Sequence, residues 1–369
     1  MNIPFNDMKS VHHLLAGEIQ QAVNRVIDSG WYILGPEVEA FEAEFAAFHG
    51  VQYAISVANG TDAIELALRA GGVGRGDEVI TVSHTAVPTV CAIERTGAQP
   101  VLVDIVPDRY TINPAAVEAA ITPRTRAIVP VHLYGHPADM TELSRIAGRH
   151  GLLLVEDCAQ AHGARLHDRW VGMWGHLAAF SFYPTKNLGT YGDGGAIITN
   201  DSALAEKLRR LRNYGQVQRY INVERGINSR LDEIQAAILR VKLNHLAAHN
   251  QKRRQLAQHY HAGLASVKKP VQADGYEHVY HLYVIRHAQR DRLMKLLNDR
   301  GVGTLIHYPI AVHQQEAYAD LGYASGSLPI TEAITGEILS LPLYVSLEPE
   351  QIKQVSQIVN ECVELLGNG

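Results

Sequence analysis

Lys186 closes an apolar run in the stretch FSFYPTKNLGTYGDGGA, from Phe180 to Ala196. An ammonium taken into a protein interior without a full partner loses proton affinity. A lysine so placed is a surface charge, a clamp for phosphate or, with a depressed pKa, a nucleophile toward an aldehyde. Asp157 ends a second apolar run, in LLLVEDCAQAHGA. Taken alone it reads as a helix cap or a structural salt bridge. In an open parallel sheet, however, ligands sit beyond the carboxyl ends of the strands, where a desolvated acid stays ionised beside a cation. A third feature is SVANGTDAIELALRA, in which Asn59, Gly60 and Thr61 join a strand to a helix. The N–H groups of such a helix start form a general anion site, and N-G-T-D is also ordinary capping chemistry.

These three features together are what pyridoxal phosphate requires. A lysine amine takes its aldehyde, a carboxylate pairs with its pyridine nitrogen, and a helix N-terminus holds its phosphate. The spacing is compatible with that assignment without proving it.

The elements that must carry these residues are legible as alternating segments. QYAISV from Gln52, EVITVS from Glu78, PVLVDI from Pro100, AIVPVHL from Ala127 and LLLVED from Leu152 are apolar nearly throughout. Strands buried on both faces have that character. TDAIELALRAGG, PTVCAIERTG and ADMTELSRIAGRHG between them are helical in pattern. The alternation predicts βαβ units around a mostly parallel sheet. AAFSFY and GAIITN are joined by too short a connection for a crossover, which predicts an antiparallel pair. A long helix is expected from Ser229, its later half basic and polar. Beyond it, VYHLYVIRH, GVGTLIHYPI and ITEAITGEILSLPLY suggest a smaller α+β domain. The expected division is residues 1–250 for a large α/β domain and 251–369 for a small C-terminal one, with the boundary in the long helix or just past it.

The bulk properties narrow the classes. The chain has 369 residues, 46% hydrophobic and 19% charged, with a net charge of −5. That balance gives no electrostatic case for nucleic acid. There is no run of 18 apolar residues and no signal-peptide pattern at the N-terminus, so a cytoplasmic location is expected. Cys91, Cys158 and Cys362 are odd in number and scattered, which argues against a disulfide framework. Nineteen histidines invite a metal, but HLAAH at His245 and His249 lacks the glutamate of a zinc protease, and no metal site is expected. GGVGRG from Gly71 follows a helix and reads as its stop and turn; KLRRLRN from Lys207 reads as a solvated or subunit-facing surface.

NGTDA, EDCAQAHGA, SFYPTKNLG, YGDGGA, NSRLDEIQAAIL and HYPIAVHQQEAY occur in this order along nearly the whole chain. In that order they resemble the DegT/StrS-type sugar aminotransferases, a branch of the fold-type-I (aspartate aminotransferase-like) pyridoxal-phosphate enzymes. The resemblance implies that Lys186 carries the cofactor as a Schiff base and Asp157 pairs with its pyridine nitrogen. It places Gln160 near the ring hydroxyl, Ser181, Gly60 and Thr61 on the phosphate, and His84 stacked on the ring. It also implies a homodimer, with Asn228 reaching the phosphate in the neighbouring subunit. Without the resemblance, His84 reads as a strand-end imidazole bonded to backbone and Asn228 as the cap of the long helix. Arg230 holds the donor's carboxylate or pairs with an acid. Tyr183, His307 and Tyr308 are candidates for the sugar; His307 and Tyr308 equally suit packing under a proline turn.

The implied reaction is transamination, cycling through pyridoxamine phosphate, with L-glutamate as donor and a nucleotide-linked keto-6-deoxyhexose as acceptor. The context AFSFYP, LRNYG and SRLDE favours amination of carbon 3 of a thymidine-linked sugar over carbon 4. The purpose would be amino-sugar synthesis for surface polysaccharide or natural products. The competing readings are a 4-keto-sugar aminotransferase and a non-catalytic regulatory protein of the same fold. A nicotinamide oxidoreductase would need a strand-placed G-x-G-x-x-G, which is lacking.

Overall fold

The computed structural model describes residues 2–367. The apolar runs form a seven-stranded sheet of β1 (Tyr53–Val57), β2 (Glu78–Val82), β3 (Gln99–Val103), β4 (Thr125–Ile128), β5 (Leu153–Asp157), β6 (Leu177–Ser181) and β7 (Gly195–Thr199). Their spatial order is β1-β7-β6-β5-β4-β2-β3. β2–β3, β2–β4, β4–β5 and β5–β6 pair in parallel. β7 runs antiparallel to both β6 and β1, as its short connection to β6 requires. Because β7 alone is reversed, β1, β2, β4, β5 and β6 all end at one edge of the sheet.

Both faces of the sheet are buried, which explains the unbroken apolar runs. Successive residues of a strand enter different cores. Val79, Ala127, Val155 and Ala179 pack with Ile64, Leu66, Ile93 and Ala205 of α2 (Gly60–Ala70), α3 (Val87–Arg95) and α5 (Ser202–Leu211). Ile80, Ile128 and Leu154 pack on the other side with Leu143 of α4 (Met140–His150). Ala178 and Phe180 there meet Phe41 and Phe45 of α1 (Pro36–His49) and Leu239 of α6 (Glu233–Gly263). α2 is buried nearly all round, so its acids need partners. Arg95 supplies them, at 3.0 Å from Asp62 and 2.8 Å from Glu65.

α6 begins at Glu233, capped at Asp232, four residues later than the periodicity predicts. Asn228 is therefore not its cap; it lies in a short bridge opposite Asn213. Residue 250 falls inside α6, whose last turns already belong to a second core. There Tyr260 packs with Tyr283, Leu293, Leu341, Ile352 and Val359. That core is built on β8 (Tyr283–Arg286) paired antiparallel with β9 (Ile338–Leu341), and on α7 (Arg290–Asp299) and α8 (Pro349–Gly367). Ile3 joins it, its N–H on the Gly301 carbonyl at 2.8 Å and its carbonyl accepting from Gly303 at 2.9 Å. The start of the chain thus packs with the C-terminal unit, although it lies within the range expected for the large domain.

Glu233 itself ties the layers together. Its buried carboxylate accepts the N–H groups of Gly35 (2.8 Å), Glu37 (2.9 Å) and Val38 (3.0 Å), the otherwise orphaned donors at the start of α1. Glu233→Ala leaves these donors unsatisfied and is expected to cost about 3 kcal/mol. A denaturant midpoint unchanged from that of the parent protein would contradict this role.

Candidate active site

A cavity of about 280 Å³ opens at the sheet edge where the parallel strands end. The loop after β1 brings Asn59, Gly60 and Thr61 to it, and β5 brings Asp157 and, just beyond, Gln160. β6 and its following turn bring Ser181, Tyr183 and Lys186. These residues are far apart in sequence and meet because a parallel sheet delivers every strand end to the same side.

At the phosphate-cradle end, the Asn59 side chain accepts from Asp62 N–H at 2.8 Å and fixes the start of α2. Gly60 lies against β6: a Cβ there would sit 2.6 Å from Ser181 Cβ. The absence of a side chain lets α2 reach the strand end, so its N–H groups and the Ser181 hydroxyl address the same volume. Ser229 holds this loop in place, accepting from Ala58 N–H at 3.0 Å and donating to Asp62 Oδ2 at 2.7 Å.

At the other end Asp157 is 3% exposed. Its Oδ1 accepts from Ala159 N–H at 3.1 Å and its Oδ2 from the Thr89 hydroxyl at 2.8 Å. Burial pushes its carboxyl above the ordinary value, while those two donors and the Lys186 charge pull it down. One more cation in the cavity would favour the ionised form, which is what a protonated pyridine offers. Lys186 is half-buried; the burial it does have lowers its pKa to about 8, against the opposing pull of Asp157. Its loop is anchored by the Asn187 amide, which donates to Asn250 Oδ1 (2.9 Å) and the Val279 carbonyl (3.1 Å). Anion cradle, ring-nitrogen partner and free amine therefore share one cavity, and the residues fit pyridoxal phosphate.

Other sequence candidates fall differently. His84 is not among the lining residues. It is buried, its Nε2 is 2.9 Å from the Tyr134 hydroxyl, and its place on the cavity wall is taken by Thr85, Ala86 and Pro88. Asn228 is exposed and lies off this chain's own cavity. Arg230 reaches no acid among the described residues; it donates to Asn213 Oδ1 at 3.1 Å and lies over the Tyr214 ring. Tyr308 accepts from Gln160 Nε2 at 3.1 Å, and Gln160 Oε1 takes the Tyr134 N–H at 2.6 Å. His307 lines an adjoining cavity instead.

Sequence reasoning missed Thr89 and Asp193, both on the cavity wall. Thr89 carries a signal, a hydroxyl two positions into the helix after β2; Asp193 in YGDGG reads as turn chemistry. It also missed Glu156, the acid beside Asp157. Glu156 faces the opposite layer and is fully buried. It accepts N–H groups from Gly172, Trp174 and Gly175 at 2.7 Å each, and His132 Nε2 lies 3.1 Å away. With Cys158 and His132 it forms a cluster of metal-ligating types, but its Oε1 already accepts two backbone N–H groups and its Oε2 one.

The DegT/DnrJ/EryC1/StrS aminotransferase family model matches residues 14–360, and the chain belongs to that family. It is 53% identical over 358 residues to the erythromycin biosynthesis sensory transduction protein EryC1 of Saccharopolyspora erythraea, covering 96% of this chain and 98% of that protein. It is 51% identical over 365 residues to dTDP-3-amino-3,4,6-trideoxy-α-D-glucose transaminase of Streptomyces venezuelae, covering 98% and 96%. Among solved structures, S. venezuelae DesV in complex with a ketimine intermediate superposes with a TM-score of 0.97 at 51% identity, covering 98% and 99%. NtdA of Bacillus subtilis with bound PMP superposes at 0.90 with 33% identity, covering 98% and 85%.

Two outcomes test the site. With Lys186 lowered to about 8, its reactive neutral form grows as pH rises and saturates above that value. The rate at which unloaded protein takes up pyridoxal phosphate should therefore rise with pH through a midpoint near 8 and level off above it, not near the ordinary lysine value. Gly60→Ala drives a methyl into Ser181 and should weaken cofactor retention by at least about tenfold, read as the pyridoxal phosphate concentration that half-restores absorbance.

Proposed function

We propose that this chain transfers an amino group to a thymidine-linked 3-keto-6-deoxyhexose, with L-glutamate as donor. The observation that carries the reading is the convergence of Lys186, Asp157, Ser181 and the α2 N-terminus on one cavity. The transaminase of S. venezuelae, similar along nearly the whole chain, supports a deoxysugar nucleotide with its amine at carbon 3. The protein is an aminotransferase, and pyridoxal phosphate, alternating with its pyridoxamine form, is its cofactor.

When bound, pyridoxal phosphate supplies an aldehyde that exchanges amines and a ring that withdraws electrons from the carbon bearing the amine. The chain's own residues do the rest. Lys186 would anchor the cofactor's aldehyde, and as a neutral amine its Nζ would accept and return a proton. Its lowered pKa suits that exchange near neutral pH. Asp157, oriented by Thr89 and Ala159, would keep the ring nitrogen protonated. Gly60, Thr61 and Ser181 would hold the phosphate, and Gln160, fixed by Tyr134 and Tyr308, lines the same cavity. Tyr183, half exposed and lining both this cavity and the one beside it, is the candidate for the sugar.

We assign a homodimer. Trp31, Tyr32 and Ile33, with Tyr214, Tyr220, Ile221 and Val223, are large apolar side chains left exposed in segments next to or paired with the Asn228 loop. A second copy covering them would bring its Asn228 toward this chain's phosphate site. No helix among the described residues is long and apolar enough to cross a membrane. Cytoplasmic amino-sugar synthesis, for polysaccharide or a natural product, is the setting that fits.

The name of the EryC1 relative favours a second reading, a regulatory protein without turnover. Absorption separates the two. Loaded protein should show a yellow band that L-glutamate bleaches and a thymidine-linked 3-keto sugar restores. Restoration by the 4-keto sugar instead moves the amine to carbon 4, and a band that never bleaches supports the regulatory reading. Lys186→Ala should lower turnover by at least about 10⁴-fold.

A further inference from the structure

Behind the Lys186 turn lies a second cavity, of about 490 Å³, whose wall includes Phe5, Asn6, Tyr183, Thr185, His281, His307 and Arg253. It adjoins the cofactor cavity at Tyr183, which lines both. A smaller space of about 40 Å³ shares Asn6, Thr185 and Arg253 with it and is lined by Lys186 itself, Lys242 and His249. Neither lining contains an aspartate or a glutamate. The cofactor cavity, by contrast, holds Asp157 and Asp193.

Arg253 is the group that needs explaining. It is 7% exposed, on α6. Its neighbours Lys252 and Arg254 pair with Glu348 and Glu277, but Arg253 meets no carboxylate among the described residues. Its hydrogen bonds all leave from Nη1, to the carbonyls of Tyr280 (3.2 Å), His281 (3.5 Å) and Leu343 (3.0 Å). Among the described residues, nothing accepts from Nε or Nη2. A buried guanidinium ordinarily pairs with an anion, and its planar fork matches a carboxylate. Burial lowers it only to about 10, so it stays charged at neutral pH. His281 beside it is neutral, held so by burial and then by the charges of Lys186 and Arg253, and its Nδ1 has no partner.

We infer that Arg253, with His281 and His307 around it, is the subsite that holds a carboxylate of the amino donor while the donor's amine reaches the Lys186 position. The inference rests on the aminotransferase reading and on a dicarboxylic donor. Two observations carry it: Arg253 lines both this cavity and the small space that Lys186 also lines, and the remaining donors of its fork meet no acceptor among the described residues. The same fork would suit the diphosphate of a nucleotide sugar, and the test separates the two.

Arg253→Lys keeps the charge and removes the fork. On loaded protein, the KM for L-glutamate in the bleaching half-reaction should rise at least tenfold. The KM for the keto sugar in the return half-reaction and the melting temperature should stay near the parent's values. Glutarate, which has no amine to transfer, should bind loaded parent enzyme in calorimetry, compete with L-glutamate, and bind the variant at least tenfold more weakly. A measurement without any variant guards against misfolding: glutarate should protect Arg253 from phenylglyoxal, mapped by peptide mass spectrometry, and thymidine diphosphate should not. Unchanged glutamate and glutarate constants would overturn the subsite. So would protection by thymidine diphosphate alone, which would assign the fork to the nucleotide. Failure of the parent enzyme to bleach with any amino acid would instead remove the aminotransferase reading beneath it.

Discussion

The rest of the site depends on one electrostatic constraint: a lysine and an aspartate share one cavity and alter each other's proton affinity. Burial lowers Lys186 and raises Asp157, while each charge opposes the shift of the other. Neither group could hold this state on a solvated surface, where screening would erase the coupling. The seven-stranded sheet supplies the burial. It must be parallel around β5 and β6 so that both groups arrive at the same edge, and covered on both faces so that little water follows them.

Each of the two groups is then steadied by a residue from a different element. Thr89 reaches Asp157 from α3, and Asn187 ties the Lys186 turn to Asn250 of α6. Gly60 works by subtraction, since its missing side chain sets how near α2 comes to β6. The site is thus assembled from the ends of strands and tuned by helices on both faces, so the two cores are coupled through it. Gln160, Tyr134 and Tyr308 extend the same network toward the C-terminal unit, where the Tyr134 hydroxyl donates to the His307 carbonyl.

What the sequence discloses follows from how local each signal is. The parallel strands, the reversed β7, Lys186, Asp157 and the glycine at the start of α2 are legible because strand character and turn chemistry are written within a few residues. The direction of a side chain beyond a strand end is not. His84 lies past the end of β2 and meets the Tyr134 hydroxyl, a contact that no local pattern announces. Arg253 belongs to a stretch that reads as a basic, solvated helix face; only the packing of Tyr280, His281 and Leu343 against it makes it interior. The start of the chain gives no local hint that Ile3 completes a core centred some three hundred residues away. Asn228 falls short of the helix it was expected to cap because Asp232 takes that place.

β5 carries two acids in succession, and their fates differ entirely. Glu156 is consumed by three amides and sits beside a histidine, whereas Asp157 points the other way and keeps room for a ligand. Strand alternation alone makes that division. Were β5 to slide one place against β4 and β6, Leu154 and Val155 would exchange cores, both still apolar. With Glu156 moved into the place of Asp157, the longer acid would face the cavity and Val155, which offers no acceptor, would face the amides. Such a sheet would retain much of its apolar burial while presenting a carboxylate one methylene too far forward. Strand registry here is therefore an address label as well as a packing solution: it selects which of two neighbouring acids performs chemistry and which becomes scaffolding.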